Sequence, residues 1–180
     1  GKNLLNRFGL KNGDKFVCLA VRDSAYQLKK IPSRFQDWSY HDYRHWNLDN
    51  FFLAAEELTK KGYYVFRMGV VAEKKFKSNN PKIIDYATKY RTELMDLYLC
   101  SECYFFVNGM SGIDSVPQIL FRTPIIQVNY IPIGLVRGWM EDSLFIPKKL
   151  WLIQERRYMI ISEIFQSGAY QFTLSDQYKK

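Results

Sequence analysis

Four short apolar runs, each ending in a polar or glycine-bearing turn, constrain this chain more than any other feature. They are Lys15 to Arg22 (KFVCLAVR), Tyr63 to Met68 (YYVFRM), Tyr104 to Val107 (YFFV) and Pro124 to Asn129 (PIIQVN). Brief runs rich in β-branched and aromatic residues, apolar at nearly every position, read as strands buried on both faces, which is the habit of parallel sheets. A parallel pair needs a crossover between its strands, and the intervening segments have helical periodicity.

The first such helix is expected over Asp49 to Lys61 (DNFFLAAEELTKK), with Asn47 or Asp49 as its cap. Phe52, Ala55, Glu56 and Thr59 follow at helical spacing, and Gly62 is the stop. A second is expected over Thr92 to Ser101, a third near Ile113 to Phe121, and a closing helix over Arg157 to Phe165. Ser143 to Ile153 reads as containing one more strand, while Ile83 to Tyr86 is an apolar stretch without a clear period. The expected fold is therefore α/β: a Rossmann-like, doubly wound, mostly parallel sheet with helices on both faces. Two long connections interrupt it, Ala25 to Asn47 and Gly69 to Pro81, and loops of such length inside a compact domain are commonly functional.

The 180 residues suit one domain with its own core, and 47% hydrophobic against 24% charged residues excludes a disordered chain. No apolar run approaches the roughly 20 residues that span a bilayer, so a soluble, cytoplasmic domain is expected. The cysteines Cys18, Cys100 and Cys103 read as buried thiols in a reducing compartment. One C-x-x-C pair with only His41 and His45 beside it falls short of a metal site, and no metal is expected. The net charge of +8 favours anionic partners. The basic residues lie in short scattered clusters rather than a stripe, and no RNA-binding fingerprint is present, which argues against nucleic acid.

In an open α/β sheet the ligand site lies beyond the carboxyl ends of the strands. Strand one ends in Arg22 and Asp23, strand two in Arg67-Met68-Gly69, strand three in Asn108-Gly109-Met110-Ser111-Gly112 and strand four in Asn129-Tyr130. Glycines between a strand and a helix let backbone amides approach a phosphate, with Ser111 as a further donor. The same pattern also serves a plain tight turn. Neither G-x-G-x-x-G nor the P-loop spacing is present. Arg22 and Arg67 would add two guanidinium forks suited to a diphosphate, or each would hold a structural ion pair. Asp23 is a candidate general base if a sugar hydroxyl reaches it, or a partner for Arg22. Asp114 is either a ribose contact or a first-turn helix charge. The loop from Trp38 to Trp46, with Tyr40, His41 and Arg44, suits stacking on a base or sugar ring, or buries its own aromatics.

The segments FVCLAVRDSAY (Phe16 to Tyr26), YHDYRHWNLDNF (Tyr40 to Phe51), GYYVFRMG (Gly62 to Gly69), IIDYA (Ile83 to Ala87), LMDLYLCSECYFFVNGMSGI (Leu94 to Ile113) and IQVNYIP (Ile126 to Pro132) occur in this order. Together they resemble a family of bacterial glycosyltransferases found with surface-polysaccharide genes, itself similar to the C-terminal, donor-binding half of the GT-B fold. The resemblance implies hexosyltransferase-like chemistry: a nucleotide-diphosphate sugar as donor, no cofactor, and a glycan or lipid-linked acceptor, with peripheral contact at the inner membrane. It assigns Arg22 and Ser111-Gly112 to the donor diphosphate, and Arg67 and the Tyr40 to Arg44 loop to the donor cleft. Ala20 departs from the His-x-Arg motif of related fucosyltransferases, so no role of that histidine carries over. Residues 1–180 thus read as a single nucleotide-sugar-binding domain, one half of a GT-B fold and a piece of a longer two-domain protein. The alternative is a non-catalytic nucleotide- or glycan-binding domain.

Overall fold

The computed structural model describes residues 1–22, 39–72, 74–136 and 141–179, with His41 by its backbone alone. Six strands form one parallel sheet: β1 (Phe16–Val21), β2 (Tyr64–Met68), β3 (Ile83–Ile84), β4 (Phe106–Gly109), β5 (Ile125–Tyr130) and β6 (Leu144–Pro147). Their order is β3-β2-β1-β4-β5-β6, the doubly wound Rossmann-like arrangement expected from the strand and helix periods. The connections reverse direction between β1 and β4, where Ala20 is in register with Asn108 and Val21 with Gly109.

The pleat sends alternate residues of each strand to opposite faces, and each face has its own core. On one side Cys18, Ala20, Phe66, Met68, Phe106 and Ile125 pack against Met95, Leu99 and Cys100 of α4 (Glu93–Glu102) and against Leu4, Leu5 and Phe8, which lie in or beside α1 (Lys2–Arg7). On the other, Val17, Leu19, Val65 and Val107 pack against Phe51 and Ala55, the latter in α2 (Phe52–Lys60). Helices therefore cover both faces. A short α3 (Tyr86–Lys89) joins β3 to α4.

Thr92 caps α4 by accepting a hydrogen bond from the Met95 amide at 3.2 Å. Thr92→Ala is expected to cost about 1 kcal/mol, because one of the first-turn amides of α4 loses its acceptor. Denaturant titration of the variant against the parent checks this.

Several boundaries depart from the sequence reading. The first crossover helix enters through a 3₁₀ turn, Leu48–Phe51, capped by Asn47. The tighter turn rotates the apolar stripe, so Phe51, Ala55 and Thr59 are buried whereas Phe52 sits 36% exposed. Helix α4 continues through Glu102, which moves β4 to Phe106–Gly109 and leaves Tyr104 stacked on Tyr63 at the surface. The Ile113 to Phe121 helix is instead a 3₁₀ turn (Gly112–Asp114) followed by a π-helical turn (Val116–Leu120), where Pro117 lacks the amide that an α-helical ladder needs. Toward the C-terminus, Arg157–Tyr158 is not helical. It forms β8, antiparallel to β7 (Trp151–Leu152), and α5 (Ile161–Gln166) starts only after Ile160, whose amide is held by the Glu163 carboxylate.

The three thiols are free and buried. Burial first, and then the neighbouring thiols, pushes the Cys18 pKa well up, and burial pushes that of Cys100 to about 12. No helix among the described residues is long and apolar enough to cross a membrane.

Candidate functional site

The reversal of strand order leaves a crevice beyond β1 and β4, because the connections after these two strands leave to opposite sides. Two cavities open there. The larger, about 710 Å³, lies on the α4 face between the residues after β2 and the start of the π-helical turn. Its wall is mostly apolar, from Ala20, Met68, Val70, Val71, Leu97 and Val116. Arg91 and Asp96 form an ion pair in that wall at 2.8 Å. Burial raises the Asp96 pKa, and Arg91 opposes the rise. The smaller, about 280 Å³, is more polar and is lined by Arg44, Asp114, Gln118, Gln127, Tyr130 and Leu135 among others. Arg22, Ser111 and Gly112 line both, and so form the ridge along which the two cavities meet.

Arg22 reaches this ridge because β1 ends at Val21 and the next residue leaves the sheet on the same side as Ala20. It is half-buried. Burial, and after it the neighbouring Arg44 guanidinium, lowers its pKa below the usual arginine value, with the Tyr43 phenol opposing. Arg44 projects from the 3₁₀ turn Ser39–Arg44 and donates from Nε to the Tyr43 hydroxyl at 2.7 Å. No carboxylate among the described residues pairs with Arg22 or with Arg44. Two guanidinium groups thus share one crevice without an ion pair to any described residue, since the Asp114 carboxylate in the same lining is engaged by Asn108 and Gln127, and an added anion stabilises such a pair.

The turn after β4 is organised by Asn108 rather than by its glycines. The fully buried Asn108 side chain accepts from the Ser111 amide and from the Ser111 hydroxyl. Its own amide nitrogen lies within hydrogen-bond reach of the Ser111 carbonyl, Asp114 and Gln127 Oε1. Asp114 also accepts from Gln127 Nε2 at 2.8 Å. Ser111 therefore spends both its donors inside the turn, and its hydroxyl is left to act outward as an acceptor. The left-handed residue is Met110 (φ 58°), whose sulfur accepts from the Ile131 amide. Gly112 faces open space and starts a 3₁₀ turn, so the turn itself leaves its amide unbonded.

The other residues singled out in the sequence fall elsewhere. Arg67 belongs to β2, in register with Leu19, one residue short of the strand end, and the pleat directs it away from the face that Met68 and Ala20 present to the larger cavity. It is 2% exposed and lines neither cavity. Its Nη1 lies 3.3 Å from Asp85 Oδ1, in a buried ion pair, and Asp85 also accepts from the Phe76 amide and the Thr88 hydroxyl. Of its two sequence readings, the structural ion pair is the one observed. Gly109 is the last residue of β4 and faces Phe51 and Trp46, away from both cavities. Asn129 takes φ 57° beside a break in the β5–β6 register, and Tyr40 is 37% exposed; neither lines a cavity. Asp23, and the side chain of His41, lie outside the described residues.

Lys148 and Tyr43 form a contact beside the crevice that no sequence pattern announces. Lys148 donates from Nζ to the Tyr43 carbonyl at 2.7 Å and lies 4.6 Å from the centre of the Trp46 ring, and burial lowers its pKa. The two partners are 105 residues apart in the chain, so no local pattern signals their meeting. Among the described residues, no cluster of three or more His, Cys, Asp or Glu side chains is placed to hold a metal ion. Comparison of the chain with protein-family models, with characterised proteins and with solved structures gave no match.

Proposed function

We propose that this chain is the donor-binding domain of a glycosyltransferase, which holds the diphosphate of a nucleotide-diphosphate sugar at the Arg22–Arg44 crevice for transfer of the sugar to a surface glycan. The observation that carries the reading is the pair of guanidinium groups lining one crevice with no carboxylate partner among the described residues. Planar forks match phosphate oxygens two at a time, and a diphosphate supplies enough negative charge for both. The position beyond the carboxyl ends of β1 and β4, where strand order reverses, supports a nucleotide ligand. The apolar cleft of about 710 Å³ on one side of Arg22 is of a size and character to take a nucleoside, and the polar crevice on the other side suits a sugar. In a transfer reaction the same cations would stabilise the charge that develops as the nucleotide leaves.

Binding without transfer is the second reading. Ala20, at the place of the histidine in the His-x-Arg motif of the fucosyltransferases that the sequence distantly resembles, offers only a buried methyl group near the end of β1. A thermal-shift screen against nucleotide-diphosphate sugars, free nucleotides and inorganic pyrophosphate tests the shared part of both readings. One class of nucleotide is expected to raise the melting temperature by mass action. No shift with any nucleotide or with pyrophosphate would overturn the assignment of the crevice. Release of free nucleotide from the stabilising donor in the presence of a glycan acceptor separates transfer from binding.

A further inference from the structure

Tyr43 is the point at which the cationic wall of the crevice is held, and what holds it comes from the far end of the chain. Its hydroxyl accepts from Arg44 Nε at 2.7 Å, and its carbonyl accepts from Lys148 Nζ. Its ring stacks on Tyr178, with centroids 4.9 Å apart and an interplanar angle of 28°. Tyr178 sits in the 3₁₀ turn Ser175–Lys179. It is anchored by its own hydroxyl, which donates to the Phe172 carbonyl at 2.7 Å, and by an edge-on contact with the Phe172 ring. The same turn is tied to the start of the arginine loop by the Ser175 hydroxyl, which donates to the Ser39 carbonyl at 2.8 Å.

Just upstream, Tyr170 lies against Gly134, next to the crevice residue Leu135. A Cβ at position 134 would come within 2.7 Å of the Tyr170 carbonyl oxygen, so the two backbones meet where only glycine fits. Residues 169–179 thus brace the crevice from two sides, beside Arg44 and beside Leu135.

We propose that Tyr178 is a positioning residue for the anion site: its ring fixes Tyr43, and Tyr43 in turn fixes the Arg44 fork over the crevice. The proposal rests on the anion-binding reading of Arg22 and Arg44. An arginine side chain free to rotate loses conformational entropy when it binds, whereas one already held loses little, so the brace increases affinity without touching the ligand.

The test is a double-mutant cycle on the full chain, with inorganic pyrophosphate as the probe and titration calorimetry as the measurement. Tyr178→Ala is expected to weaken binding about tenfold, close to the effect of Arg44→Ala, and to have little further effect once Arg44 is already alanine. Tyr178→Phe, which keeps the stacking ring, is expected to retain most of the affinity. Tyr178→Leu, which keeps apolar volume but not the ring, serves as the folded comparison if the alanine variant does not fold. Affinity unchanged in the folded Tyr178→Ala or Tyr178→Leu variant, or losses that simply add to that of Arg44→Ala, would overturn the positioning role while leaving the site reading intact. Failure of the unaltered protein to bind pyrophosphate would overturn the site reading, and the positioning role with it.

Discussion

Arg22→Ala is expected to abolish the stabilisation that a nucleotide-diphosphate ligand gives, with affinity falling roughly 10- to 100-fold, the range for losing a hydrogen bond to a charged group in a partly desolvated site. Arg22 stands on the ridge between the two cavities, so a ligand extending from one into the other passes beside it. Arg22→Lys should recover only part of the loss, because an ammonium group keeps the charge but not the two-pronged donor. The ligand-free variant carries a second expectation of opposite sign. Arg22 is half-buried beside Arg44 and has no described carboxylate partner, so removing it relieves repulsion and desolvation, and the melting temperature without ligand should be unchanged or higher. Parallel thermal unfolding of the two proteins, with and without ligand, reads both effects. A large drop in the ligand-free melting temperature would instead mark Arg22 as a structural residue.

Asp85→Ala is expected to produce the largest loss of stability, about 3–5 kcal/mol, since it leaves the Arg67 guanidinium buried without its counter-charge. The cost is compounded because Asp85 also accepts from the Phe76 amide and the Thr88 hydroxyl. Replacing both partners, as Arg67→Met with Asp85→Asn, should restore part of the loss by removing the charge that has no partner while keeping an acceptor for the loop. Urea unfolding measures the series. Pyrophosphate affinity of the folded double variant should match that of the parent, because Arg67 and Asp85 line neither cavity. A specific loss of affinity at full stability would return Arg67 to the ligand site.

These two arginines show how far the sequence carries and where it stops. Both follow an apolar run, and both read equally well as phosphate ligands. What separates them is their register: Arg67 pairs with Leu19 inside β2, whereas Arg22 follows Leu19 by three residues and lies just past the end of β1, and an odd offset puts the two side chains on opposite faces. Strand ends are the least legible feature of a sequence, and a shift of one residue exchanges the faces. The turn after β4 shows the same limit in another form. The residues Asn108, Ser111 and Gly112 were visible as a group, but the direction of the Ser111 hydroxyl depends on Asn108 and Gln127, which meet only across β4 and β5.

The α/β class, the parallel sheet and the edge of the sheet at which a ligand should be sought are legible in the amino-acid sequence alone. Those follow from hydrophobic periodicity and strand length, which are local properties of the chain. Which charges face the crevice, which are neutralised in the core, and that Tyr178 stands behind Tyr43 emerge from the packing of the folded chain. Each of these depends on side chains brought together from distant parts of the chain, and the energy of a charge depends on its burial and its neighbours rather than on the residues beside it in sequence.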